Sequence, residues 1–133
     1  MSVTRRFVHL MDRLLWIEPI YAHCYVPCGI YDPHTAALAA KTVYTMVKKM
    51  TELAIPDAKA SPAQVLEYRS TVIRMATTKE QHAQSCKQEL LILWTDYFKP
   101  EHLTLFPNLH ETFWQAAKLC SYNKQHMDLG KAQ

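Results

Sequence analysis

Apolar side chains return every three or four positions through most of this chain, and the breaks in that rhythm mark out its helices. Val3, Phe7, Leu10, Leu14 and Ile17 keep it over the first 22 residues, with Arg5, Arg6, His9 and Arg13 between them. That pattern predicts an amphipathic helix, ended at Glu18-Pro19 because proline disfavours helical backbone at the residue before it. A second seam, Ala39, Val43, Met46, Met50 and Leu53, has Lys41, Thr45, Lys48, Lys49 and Glu52 off it. It predicts a bundle-facing helix with Asp32 as cap and Pro33 at the first helical position, closed by Ile55-Pro56. Residues 56–61 read as a loop. Ser61-Pro62-Ala63-Gln64 is a capping box, in which the Ser and Gln side chains satisfy each other's orphan backbone donors. The stripe that follows, Val65, Val72, Ala76, Ala83, Cys86, Leu90 and Leu93, predicts a helix reaching about Tyr97, roughly 50 Å long at 1.5 Å per residue. Lys79 falls on the stripe and is expected to weaken it locally. Lys99-Pro100 breaks the run, and Leu109, Phe113, Ala116, Ala117 and Cys120 predict a third helix from about Pro107. The tail, residues 121–133, is polar apart from Met127 and Leu129.

These elements predict an all-α fold, an up-and-down bundle of the four-helix type. Three helices leave an apolar face that a further helix or another subunit must cover. Composition agrees, since two glycines in 133 residues are too few for the turns a sheet needs, and the length is that of one domain. Fifteen Lys and Arg against 12 Asp and Glu give a net charge of only +3. No basic cluster is interleaved with aromatics, so a nucleic-acid partner is not expected. No run of 18 apolar residues offers a membrane-spanning helix. Four cysteines are too few for a disulfide scaffold, and Cys86 and Cys120 sit where a small buried apolar residue fits a helix. Trp94, Tyr97 and Phe98 are expected to be core.

The chemistry concentrates in "AHCYVPCGIYDPH", Ala22 to His34, where His23, Cys24 and Cys28 put one imidazole and two thiols within six residues. Structural zinc draws on two separated ligand pairs, and no second pair exists; His82 and His110 are isolated. A Cys24–Cys28 disulfide is geometrically admissible, though a reducing compartment would keep it open. A third reading uses the backbone. A cut after Ala22 would give His23 a free α-amine, with an ordinary pKa of about 7.7. That amine, the deprotonated Cys24 amide and two thiolates make a planar N2S2 set, with the imidazole free to approach axially. Such a set favours nickel or copper over zinc, and thiolates ease a higher oxidation state. Pro27 and Gly29 suit the tight turn required. A secretory signal would need an apolar core that Asp12, Arg13 and Glu18 interrupt, so residues 1–22 read as a leader or pro-segment, or as a first packing helix.

"HCYVPCGIYDP" resembles the metal hook of the nickel superoxide dismutase family, and "LILWTDYFKPEHLTLFPNLHETFW", Leu91 to Trp114, resembles a second segment of it in the same order. The likeness covers about Ala22 to Ser121. It implies a homohexamer of four-helix bundles, each hook holding a nickel ion that dismutates superoxide to oxygen and peroxide. The implied ligands are the His23 amine and imidazole, the Cys24 amide and thiolate and the Cys28 thiolate, with Tyr31 as a catalytic residue lining the path to the metal. The chain then divides into a leader, 1–22, removed by a processing peptidase, a hook, 23–31, and a bundle, 32–133. Three positions depart from the family pattern: Tyr25 where Asp is common, Ala39 where a Glu supports the axial imidazole, and His82 where that Glu has an Arg partner. The family's last helix is expected to be missing or mostly missing after Gln133. The alternative is a non-catalytic structural or partner-binding protein that keeps its leader, carries no functional nickel, and docks on a larger assembly or a membrane surface; Tyr31 would then only pack the hook against the bundle. The cytoplasm is the default location, an organelle the alternative.

Overall fold

Capping chemistry sets where the helices begin in the computed structural model, which describes residues 29–133. The leader, together with His23, Cys24, Tyr25 and Cys28, lies outside the described residues. Residues 31–133 form one unit, separate from the residues before them. Its first helix, α1, spans His34–Glu52. Asp32 Oδ1 accepts the His34 N–H at 2.8 Å, so the predicted cap works from one residue further out and Pro33 flanks the helix instead of opening it. The helix stops at Glu52, short of Ile55, because Leu53 is already extended.

Ser61 and Gln64 form the predicted box. The Gln64 N–H donates to Ser61 Oγ at 3.3 Å and the Ser61 N–H donates to Gln64 Oε1 at 2.8 Å. From it runs α2, Pro62–Ile92, 31 residues and about 46 Å long. The helical path then widens into a π turn, Leu93–Tyr97, closed by the Phe98 N–H donating to the Leu93 carbonyl. The expected end at Tyr97 is thus reached in a different winding. A 3-10 segment, Pro100–Thr104, leads to α3, Leu109–Gln125, and a single turn, α4, Leu129–Ala132. Among the described residues there is no strand, and no helix is long and apolar enough to cross a membrane.

The long α2 packs against both α1 and α3, while α4 returns to α1 and α3. Small side chains make these contacts: Ala36 and Ala39 of α1 meet Cys86 of α2, with Leu90 and Cys120 packed beside them. The α1 seam continues through Val43 to Val47, which is fully buried, so Met46 and Met50 flank the seam instead of forming it. Lys79 does not interrupt its stripe. It is buried, and its Nζ donates to the Lys124 and His126 carbonyls at 3.1 Å each. Those carbonyls close the C-terminal end of α3, where helices leave acceptors unpaired and carry partial negative charge. The tail is also less polar in place than in sequence: Asn123 is buried in α3, its Nδ2 donating to the Lys131 carbonyl, and Asp128 caps α4. Leu66 and Ile73, on one face of α2, stay 69% and 64% exposed.

Candidate metal centre

Gly29, directly after Cys28, has φ +69°, in the left-handed region that glycine enters without the penalty of a Cβ. A PCG sequence therefore meets a backbone conformation that asks for the glycine. Tyr31 is half-buried at the head of the bundle, its ring 5.5 Å from that of Tyr97 at 51°. Tyr97 in turn stacks on His102, 5.9 Å away at 20°, and meets Phe98 edge-on at 5.0 Å. Phe98 contacts Phe113, which lies parallel to Trp94. Tyr31 thus stands at the end of an aromatic bench built by the π turn, the 3-10 segment and α3. Offset and edge-to-face contacts of this kind fix ring positions beyond what area burial alone provides.

Two histidines are tied into the bench by hydrogen bonds. His102 Nδ1 accepts from the Lys99 N–H at 3.0 Å, and His110 Nδ1 accepts from the Trp94 indole at 2.9 Å. An accepting Nδ1 is an unprotonated one, which leaves His110 as a positioning contact. Trp94 and Phe98 are half-buried, as packing residues, but Tyr97 is 46% exposed, so the trio is a rim more than a core. Asp96 Oδ1 accepts from the Thr95 hydroxyl, while its buried Oδ2 has no hydrogen-bond partner among the described residues. Spacing along the sequence did not point to Asp96 or His102, because the π turn that positions the one and the 3-10 segment that positions the other have no pattern of their own.

Among the described residues no three His, Cys, Asp or Glu side chains gather to hold a metal. His82 is half-buried on α2, and Ala39 is buried against Ala36 and Cys86, a methyl group with nothing to offer an imidazole. The donor set that suits a redox metal is His23, Cys24 and Cys28, whose nitrogen and sulfur donors fit nickel by the ordinary preferences of that ion.

Comparison with known proteins bears on the same segment. The model of the family described as nickel-containing superoxide dismutase matches residues 18–133. The nickel superoxide dismutase of Streptomyces seoulensis is 37% identical over 114 residues, covering 86% of this chain and 77% of its own length. That of Streptomyces coelicolor is 35% identical over the same extent. A native nickel superoxide dismutase crystal structure superposes with a TM-score of 0.67 at 32% identity, over 84% of each chain. One whose nickel ligation corresponds to the oxidized state gives 0.67 at 35%, again over 84% of each. The chain belongs to the nickel-containing superoxide dismutase family, and with that membership come the helical bundle, a nickel cofactor and the dismutation of superoxide.

Proposed function

We propose that cleavage between Ala22 and His23 completes the active site. The freed His23 amine and imidazole, the Cys24 amide and the Cys24 and Cys28 thiolates would together hold the nickel. The observation that carries this reading is the donor set itself, His-Cys-x3-Cys followed by a glycine at φ +69°, in a chain of this family. Bound nickel supplies the one-electron redox couple that turns one superoxide into oxygen and a second, with two protons, into hydrogen peroxide. The chain's own residues supply binding and approach. Tyr31, fixed against Tyr97, offers a phenol O–H that donates to an anionic oxygen. The chain left after the cut keeps 12 Lys and Arg against 10 Asp and Glu, a net charge of +2 that gives a mild pull on an anion. The exposed Leu66 and Ile73 support a homo-oligomer, a hexamer by likeness to the family, and a peptidase is required for the cut. The proposed location is the cytoplasm, with an organelle as the alternative.

The test reads the N-terminus, the nickel content and the activity of the same purified sample. The expected outcome is His23 as first residue, about one nickel per chain, and activity lost in Cys28→Ser, since a hydroxyl replaces a thiolate ligand. Active protein that still begins at Met1 would overturn the cleavage. A Met1 chain with no nickel and no activity would instead favour the leader-retaining scaffold.

A further inference from the structure

Cys86 and Cys120 have no part in the hook, yet they meet. Cys86 lies on α2 and is buried; Cys120 lies on α3 and is half-buried. Cys120 packs against the buried cluster that holds Cys86, so the two side chains face each other across the two helices. Both open onto a groove of about 390 Å³ walled mainly by Ala36, Ala40, Leu90 and Leu119. That is room for several small polar molecules at about 30 Å³ per water. Two further bonds clamp α2 to α3 around the thiols: Lys87 Nζ donates to Ser121 Oγ at 2.9 Å, and Lys124 Nζ donates to Gln84 Oε1 at 2.8 Å. The clamps also set two ammonium groups near Cys120.

We propose that Cys86 and Cys120 form a peroxide-sensitive dithiol, a modification site that closes to an α2–α3 disulfide when hydrogen peroxide, the product of superoxide dismutation, enters the groove. Cys120 is the nucleophile. The hydrogen bond from Cys86, followed by the charges of Lys87 and Lys124, outweighs burial and lowers its pKa to about 7. The same hydrogen bond and burial push Cys86 up, so it keeps its proton. The Cys120 thiolate attacks one peroxide oxygen, the O–O bond breaks, and hydroxide leaves, giving Cys120 sulfenic acid. Cys86 sulfur then attacks the Cys120 sulfur. The S–O bond breaks, and the departing hydroxide takes the Cys86 proton as water. Peroxide is reduced by two electrons and the thiol pair is oxidised by two. The step needs no nickel, only peroxide.

The full chain is treated with equimolar hydrogen peroxide, blocked with N-ethylmaleimide, digested with trypsin and mapped by mass. Cuts after Lys79, Lys87, Lys118 and Lys124 put the two thiols on peptides 80–87 and 119–124, while both hook cysteines stay on a separate peptide ending at Lys41. The expected product is 80–87 joined to 119–124, lighter than their sum by two hydrogens, absent without peroxide and released by dithiothreitol. In Cys86→Ser, which keeps a hydroxyl donor beside Cys120 but has no thiol to resolve the sulfenic acid, dimedone added with peroxide should trap Cys120. Should a variant fail to fold by circular dichroism, the wild-type map decides alone. Both peptides still maleimide-labelled after the hook peptide has been oxidised would overturn the proposal, as would a folded Cys86→Ser chain in which dimedone traps no Cys120.

Discussion

Lys79 and Cys86 occupy the same stripe of α2, seven residues apart; Cys86 is buried there as its spacing predicts, whereas Lys79 was misjudged because a stripe gives the face but not what lies opposite. Lys79 finds carbonyls there, and Cys86 finds a second thiol. Cys120 makes the sharper prediction at this scale. Its titratable and charged surroundings are Cys86 and Lys87 from α2, Lys124 of its own helix, and Lys131 across the groove; Pro33 and, from α1, Ala36, Ala37, Ala40 and Val43 complete that wall, and among the described residues no Asp or Glu side chain lines it. With its pKa lowered from 9.0 to about 7, Cys120 is mostly thiolate above neutrality and gains a proton as pH falls through 7. Its rate of alkylation by iodoacetamide should therefore be half-maximal near pH 7 and fall about tenfold for each further unit, because the thiolate is the reacting form. A midpoint near 9 would mean an ordinary thiol. Ala39 is instructive in the other direction: its place on the seam was readable, and the burial of its methyl group explains why no polar partner stands at that position.

At the scale of the element, the strongest sequence signals were those with local chemistry. The Ser61–Gln64 box needs only four residues to work, and it starts α2 where expected. The ends of helices set by distant groups were not legible in the same way. The last carbonyls of α3 are held by Lys79, 45 and 47 residues earlier in the chain, and nothing within α3 announces that partner. Lys79→Met keeps most of the side-chain volume and removes both donors. Leaving a fully buried acceptor unpaired costs about 1–3 kcal/mol, and these carbonyls are part-buried, so the variant should lose less than that range and still melt at a lower temperature. Hydrogen exchange should quicken first in the last turn of α3 and in α4. Equal exchange in those turns and in α2 would show that Lys79 does not hold that end. The π turn illustrates a further limit, since Leu93 stays on the apolar stripe whether the backbone winds by four or by five residues.

For the whole molecule, the bundle and its family were legible because periodicity and two separated motifs pointed the same way. The aromatic bench was not, because Tyr31 and Tyr97 are 66 positions apart in sequence and meet only through the fold. The proposed donor set rests on residue types alone, and on that proposal the cut before His23 would supply its remaining nitrogen. The buried positions of the bundle are mostly alanine, valine and cysteine, and Val47 is the one large side chain among the described residues that is fully enclosed.

A core made of such small groups has a calorimetric signature. Heat-capacity change on unfolding follows newly wetted apolar surface, so a lone chain should fall below the usual ~12–15 cal/mol/K per residue and unfold along a shallow denaturant slope. In the proposed homo-oligomer, chains would gain stability by covering one another's exposed leucine and isoleucine faces. Mass action ties such stability to protein concentration. The melting temperature should climb as the sample is concentrated a hundredfold, and a temperature that does not move would describe a subunit stable by itself.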